Sequence, residues 1–171
     1  MLSKEKISHI YKQYSKEIFR YLYKLTGNQD SSEDILQEVF EKFIVYTAQK
    51  DINVEKYRAF LYKTAHNEGV NYLIKSKKIQ FNNIDAMEDS LKCEDTNIQN
   101  CIAADLQREI YRVLETIRPE TRSMFILHKE NEMTYDEIAR HLDVSSRTVR
   151  RRIKQVLDLL FDELKKEGYI Q

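Results

Sequence analysis

The sequence contains one proline, three glycines and no tryptophan in 171 residues. So little turn-forming material argues against sheets, which need tight hairpins, and the abundance of Lys, Glu, Leu and Ile favours helix throughout. No run of about 18 apolar residues occurs, so a membrane-spanning helix and stable membrane insertion are not expected. The stretch MLSKEKISHIYKQY has no apolar core after its charges and does not read as a secretory signal. Cys93 and Cys101 are the only cysteines, with no Cys-x-x-Cys pair, and His9, His66, His128 and His141 are scattered. That pattern predicts two free thiols in a cytoplasmic protein and no zinc site. A Gly-rich phosphate loop, a nucleophile elbow and a metal-ligand cluster are all missing, so neither enzymatic activity nor a cofactor is expected.

What is present is charge and helical periodicity. The chain carries 28 basic and 28 acidic residues, yet they are unevenly spread. Residues 1–80 hold 14 basic against 10 acidic residues, residues 81–104 hold one against five, and residues 105–171 are balanced. Two blocks joined by an acidic linker over 81–104 are therefore expected. In the first block Ile7, Ile10, Tyr14, Ile18, Tyr21, Leu22 and Leu25 recur at helical steps as far as Gly27-Asn28. Ser31 or Ser32 then suits an N-cap, with Glu33 and Asp34 in the first turn and Ile35, Leu36, Val39, Phe40 and Phe43 facing inward. A third helix is predicted over residues 54–76, with Tyr57, Phe60, Leu61 and Leu73 as core.

The second block resumes with Leu106, Ile110, Val113, Leu114 and Ile117, then breaks at Arg118-Pro119. Met124, Phe125 and Leu127 belong to the next helix. Thr134 and Glu137 fit a capping box, Asp143-Val144 makes a short turn, and Ser145 or Ser146 caps a longer helix. Two helices, a tight turn and a basic second helix make a helix-turn-helix. Arg147, Arg150, Arg151 and Lys154 lie at i, i+3, i+4 and i+7, opposite Val149, Ile153 and Val156. A solvated face is the plain use of such a stripe. Arginines near a helix start, however, oppose the macrodipole by about 0.3–1 kcal/mol each, a cost offset where the same end meets phosphate and base edges. DNA contact is the better reading.

On the second helix of the first block, Asp34, Gln37, Glu38 and Glu41 form a polar stripe opposite Ile35, Val39 and Phe43. SEDILQEVFEKF resembles the polymerase-binding helix of bacterial sigma factors of the sigma-70 family, in the extracytoplasmic-function group. YRAFLYKTAHNEGVNYLIKSKK resembles that group's promoter-melting segment, and RPETRSMFILHKENEMTYDEIARHLDVSSRTVRRRIKQ its C-terminal DNA-binding domain. The resemblance implies an all-α chain of two small helical domains: a region 2-like domain over 1–80, the acidic linker, and a region 4-like helix-turn-helix domain over 105–171. It implies core RNA polymerase and promoter DNA as partners, with an anti-sigma factor as a further one.

Carried over by position, the resemblance puts polymerase binding on Asp34, Gln37, Glu38 and Glu41. It puts −10 DNA contact on Lys63, Asn67, Asn71, Lys75, Lys77 and Lys78, with Asn67 near an extruded base. It puts −35 contact on Ser146, Arg147, Arg150, Arg151 and Lys154. Asn71 stands where many members carry aspartate, and Ile74-Lys75 where many carry paired arginines. In the linker, Asp85, Glu88, Asp89, Glu94 and Asp95 resemble a nucleic-acid mimic. The rival expectation is a stand-alone helix-turn-helix regulator, which would leave the acidic stripe and the Asn67 segment unused.

Overall fold

The computed structural model describes residues 3–49, 55–82 and 98–170, and among these every regular element is a helix. In chain order they are α1 (Lys4–Thr26), α2 (Gln29–Gln49), α3 (Glu55–Asn82), α4 (Ile98–Thr116), α5 (Pro119–Lys129), α6 (Tyr135–Leu142) and α7 (Ser146–Lys166). The acidic residues Asp85, Glu88, Asp89, Glu94 and Asp95 lie outside the described residues. No described helix is long and apolar enough to cross a membrane.

α1 begins at Ser3, whose hydroxyl accepts from the Lys6 amide, and ends at Gly27, in the left-handed region at φ 73°. That conformation is one glycine adopts without strain, and it lets the chain reverse into α2 within two residues. The start of α2 differs from the sequence expectation. Asn28 caps it, its Oδ1 accepting from the Ser31 amide at 2.8 Å, and Ser31 and Ser32 lie inside the helix. Ser32 is fully buried and donates back to the Asn28 carbonyl at 2.6 Å. A helix-interior serine can satisfy its hydroxyl this way, so its side chain is not needed as a cap.

α3 and α4 each run further than the periodicity predicts. α3 continues to Asn82, and α4 starts at Ile98, within the segment expected as linker. Lys77, Lys78 and Gln80 at one end and Ala103 and Ala104 at the other are good helix formers, and a helix already nucleated adds such residues at little cost. Tyr57, Leu61 and Leu73 are buried as expected. Phe60 is half-buried and stacks on Tyr46, ring centroids 4.5 Å apart. Gly69 allows α3 to approach α1 closely: a Cβ there would sit 2.7 Å from Leu25 Cδ2.

The helix-turn-helix has the predicted caps. Thr134 accepts from the Glu137 amide while the Glu137 side chain accepts from the Thr134 amide, and Ser145 accepts from the Thr148 amide. Asp143 ends α6 in the left-handed region at φ 59°, with its N–H on the Ala139 carbonyl. Val149, Ile153, Val156 and Leu160 of α7 are buried, while Leu164 is only partly so.

The two helical blocks pack face to face. α1 lies against α5, α3 lies against α5 and α6, and buried apolar residues of both blocks form one continuous cluster. α5 lies at the centre of this arrangement. All of Thr121, Arg122, Ser123, Met124, Phe125, Ile126 and Leu127 are buried, so α5 has neighbours on every side.

Candidate nucleic-acid and partner interfaces

On α2 the burial of Ile35, Val39 and Phe43 turns Asp34, Gln37, Glu38 and Glu41 outward, and all four are exposed. Gln37 donates to Glu41 at 2.8 Å. Lys42 bridges Glu38 at 2.7 Å and Glu68 of α3 at 2.6 Å, which partly neutralises Glu38 and braces the two helices. Beside the stripe a groove of about 650 Å³ opens between α1 and α2, lined by Tyr11, Phe19, Leu36, Phe40 and Ile44 with Gln37 and Glu41 on its rim. Tyr11 and Ile44 are 46% and 41% exposed, too wet for core residues. Sequence reading missed this apolar part because Tyr11 and Phe19 belong to α1, and only the fold brings them beside α2. An acidic rim on an apolar floor suits a basic amphipathic helix.

On α3, Lys63, Asn67, Asn71 and Lys75 are exposed and follow one another at four-residue steps. Asn67, Asn71 and Lys75 are open to solvent, whereas Lys63 is ion-paired with Asp143 of the helix-turn-helix at 3.5 Å. Lys77 donates to the Glu115 carbonyl at the end of α4, at 2.8 Å. The side chain of Lys78 lies outside the described ones.

Arg147, Arg150, Arg151 and Lys154 are exposed along one face of α7. The Arg150 guanidinium sits 5.9 Å over the Tyr135 ring, a cation–π contact between α7 and α6. Ser146 donates its hydroxyl to Asp136 of α6 and is half-buried, so it clamps the two helices together. The exposed face thus carries the four basic side chains, whereas Ser146, expected beside them, is turned inward. Arg152, to the side, is half-buried.

A fourth feature lies between the blocks. Ser123 Oγ is 2.6 Å from the Tyr21 hydroxyl and 2.6 Å from His66 Nδ1. Burial pushes the His66 pKa down to about 4, with Arg152 lowering it and Glu120 opposing. The imidazole is therefore neutral at pH 7, and a relay from Tyr21 O–H to Ser123 and from Ser123 O–H to His66 Nδ1 satisfies all three groups. Burial also raises the Tyr21 and Tyr62 phenols well above their usual range. Asn131 donates to the Tyr62 hydroxyl at 3.1 Å, and the His141 ring meets the Tyr62 ring edge-on at 6.0 Å.

Known proteins show the same organisation. Residues 10–79 match the family model for sigma-70 region 2, and residues 107–160 match that for sigma-70 region 4. The ECF RNA polymerase sigma factor SigE of Mycolicibacterium smegmatis is 26% identical over 162 residues, covering 92% of this chain and 61% of its relative. SigM of Bacillus subtilis, also an ECF RNA polymerase sigma factor, is 27% identical, covering 91% and 95% of the two chains. RNA polymerase sigma factor YlaC of the same organism is 27% identical over 140 residues, covering 81% and 80%. Among solved structures, the sigma factor RpoE in complex with the anti-sigma factor NepR from Bartonella quintana has a TM-score of 0.67 at 14% identity, covering 94% of this chain and 98% of that one.

An exposed acidic stripe on one helical block and a basic helix-turn-helix on the other define a two-domain, all-helical transcription factor. The chain belongs to the sigma-70 family of RNA polymerase sigma factors, in its extracytoplasmic-function group.

Proposed function

We propose that this chain binds core RNA polymerase and directs it to promoters by contacting the −10 and −35 elements. The observation that carries the reading is the pairing, in one chain, of the α2 stripe and groove with the basic face of α7. A stand-alone DNA-binding regulator has no use for the first. Asp34, Gln37, Glu38 and Glu41 supply charge-assisted hydrogen bonds, and Tyr11, Phe19 and Ile44 supply the apolar contact.

Residues 1–80 form the polymerase-binding and −10 domain, with Asn67, Asn71 and Lys75 facing the melted strand and Lys63, Lys77 and Lys78 reaching its phosphates. Residues 81–104 link it to the −35 domain, residues 105–171, which reads DNA through Arg147, Arg150, Arg151 and Lys154, with Ser146 fixing the helix. The chain contributes no catalytic group. The polymerase makes RNA in the cytoplasm and this chain selects the start, under restraint by an anti-sigma factor that covers the same surfaces.

Co-elution with bacterial core RNA polymerase on size exclusion tests the reading. Glu41→Arg is the informative variant, because Glu41 takes no part in the Lys42 brace that Glu38 helps to hold. The wild-type chain is expected to co-elute and Glu41→Arg to be lost from the complex while keeping its helical content. A folded wild-type chain that stays apart from the polymerase overturns the reading in favour of a stand-alone regulator.

A further inference from the structure

The four cations on the outer face of α7 are not equivalent. Arg147, Arg151 and Lys154 make no hydrogen bond, ion pair or ring contact among the described residues. Arg150 does: its guanidinium lies 5.9 Å from the centre of the Tyr135 ring. Tyr135 opens α6, is half-buried, and also meets the His128 ring at 4.7 Å. His128 is fixed in turn, its Nδ1 2.8 Å from the Met133 carbonyl. One residue further on, Asp136 accepts from Ser146 at the start of α7. The first turn of α6 therefore grips α7 at two points, and one of them is a side chain of the DNA-facing stripe.

This difference bears on which cation does what. A bidentate contact to guanine O6 and N7 needs the planar fork at one place and one angle, whereas a phosphate accepts a cation over a range of positions. A long side chain that is free to move loses rotamer freedom when it reads a base, and one already confined loses less. Arg150 also lies in the second turn of α7, near the end of a recognition helix that approaches base edges. Confinement by an aromatic ring suits it to a base edge. The freedom of Arg147, Arg151 and Lys154 suits them to phosphate.

We propose that Tyr135 is a positioning residue for sequence reading: its ring confines Arg150, so that Arg150 reads a guanine in the major groove while Arg147, Arg151 and Lys154 hold the flanking phosphates. The proposal rests on the reading that α7 meets DNA and assigns the roles within it. Arg150 brings its charge among the phosphates from wherever in the groove it sits, so its loss lowers the salt dependence in either role. Base preference is what separates the two.

The full chain, without polymerase and at low salt, selects from a pool of duplexes with a randomised centre, and the enriched pool is sequenced. The wild-type chain is expected to enrich G·C pairs at defined positions. Arg150→Ala should abolish that preference at one of them, and Arg151→Ala should weaken binding to all sequences alike. Tyr135→Leu should reduce the Arg150-dependent preference about two- to fivefold, the worth of an exposed cation–π contact. Its salt slope should match the wild type, because no charge is removed. Tyr135→Phe keeps the ring and should keep the preference. An unchanged preference in a folded Tyr135→Leu chain, even with uniformly weaker binding, marks a merely structural role and overturns the proposal. So does a loss in Tyr135→Phe as large as that in Tyr135→Leu, or a set of guanine preferences that all survive Arg150→Ala. If Tyr135→Leu does not fold, Tyr135→Met takes its place. A wild-type chain that enriches no sequence overturns the DNA reading itself, a failure distinct from enrichment that ignores Tyr135.

Discussion

His66 Nδ1 lies 2.6 Å from Ser123 Oγ, which joins a histidine in the middle of α3 to a serine on the buried side of α5. The neutral imidazole suits this relay. A protonated one would donate to Ser123, reverse the relay and turn the Tyr21 O–H away from it.

The pH dependence follows from this contact. The His66 pKa is lowered from 6.5 to about 4 by burial first, and by Arg152, against the opposing effect of Glu120. The unfolded chain therefore binds more protons than the folded one between those values, so stability rises with pH across that window. It is fully present above about 6.5 and is lost as pH falls toward 4, by up to about 3 kcal/mol at 1.36 kcal/mol per pH unit. Urea midpoints at pH 7.5, 5.5 and 4.5 should fall in that order, and His66→Gln should flatten the dependence between 6.5 and 5.5.

The basic face of α7 gives a second expectation. If Arg150 and Arg151 neutralise phosphate, each alanine substitution should weaken duplex binding and reduce the slope of log affinity against log salt by about one. Arg152 is half-buried near His66, so Arg152→Ala should leave the slope unchanged. Salt titrations of filter-bound duplex measure both.

The helix-turn-helix geometry should depend on its capping box. Thr134→Ala removes the hydroxyl from the Glu137 amide and is expected to destabilise the chain by about 1 kcal/mol. Thr134 also holds Glu137 below the usual carboxylate range, so this part of the stability is lost as pH falls through the lowered value. The thermal midpoint of the variant against the wild type reads the effect at neutral pH.

Gly69 should be the least tolerant position in α3. A Cβ would meet Leu25 Cδ2 at 2.7 Å and Leu22 Cδ2 at 3.4 Å, and both leucines are fully buried. Gly69→Val should destabilise by about 1–3 kcal/mol, as overpacking of a filled core does, measured by chemical unfolding.

Much of this architecture was legible from periodicity. The inner faces of α1, α2 and α7 follow from residues three and four apart, and both helix-turn-helix caps follow from Thr134–Glu137 and Ser145. Asn28 was misread because an asparagine after a glycine marks a helix end, yet its side chain starts the next helix. The contact between blocks was hidden because Ser123 and His66 look like ordinary polar positions on amphipathic helices. One signal was present: Met124 to Leu127 are four consecutive apolar residues, a pattern that buries a helix on every side rather than along one stripe. The groove between α1 and α2 had no local signal, since its lining comes from two helices, Tyr11 and Phe19 on α1 and residues 33 to 44 on α2.

The central claim is that this chain chooses where RNA synthesis starts. The most direct test is in vitro transcription from fragmented genomic DNA with core polymerase, with and without the chain, mapping RNA 5′ ends. The account predicts discrete new starts that share upstream −10 and −35 sequences and that disappear with Arg150→Ala or Glu41→Arg. A chain that binds the polymerase yet yields no discrete starts would contradict it and mark a factor that occupies the enzyme without directing it.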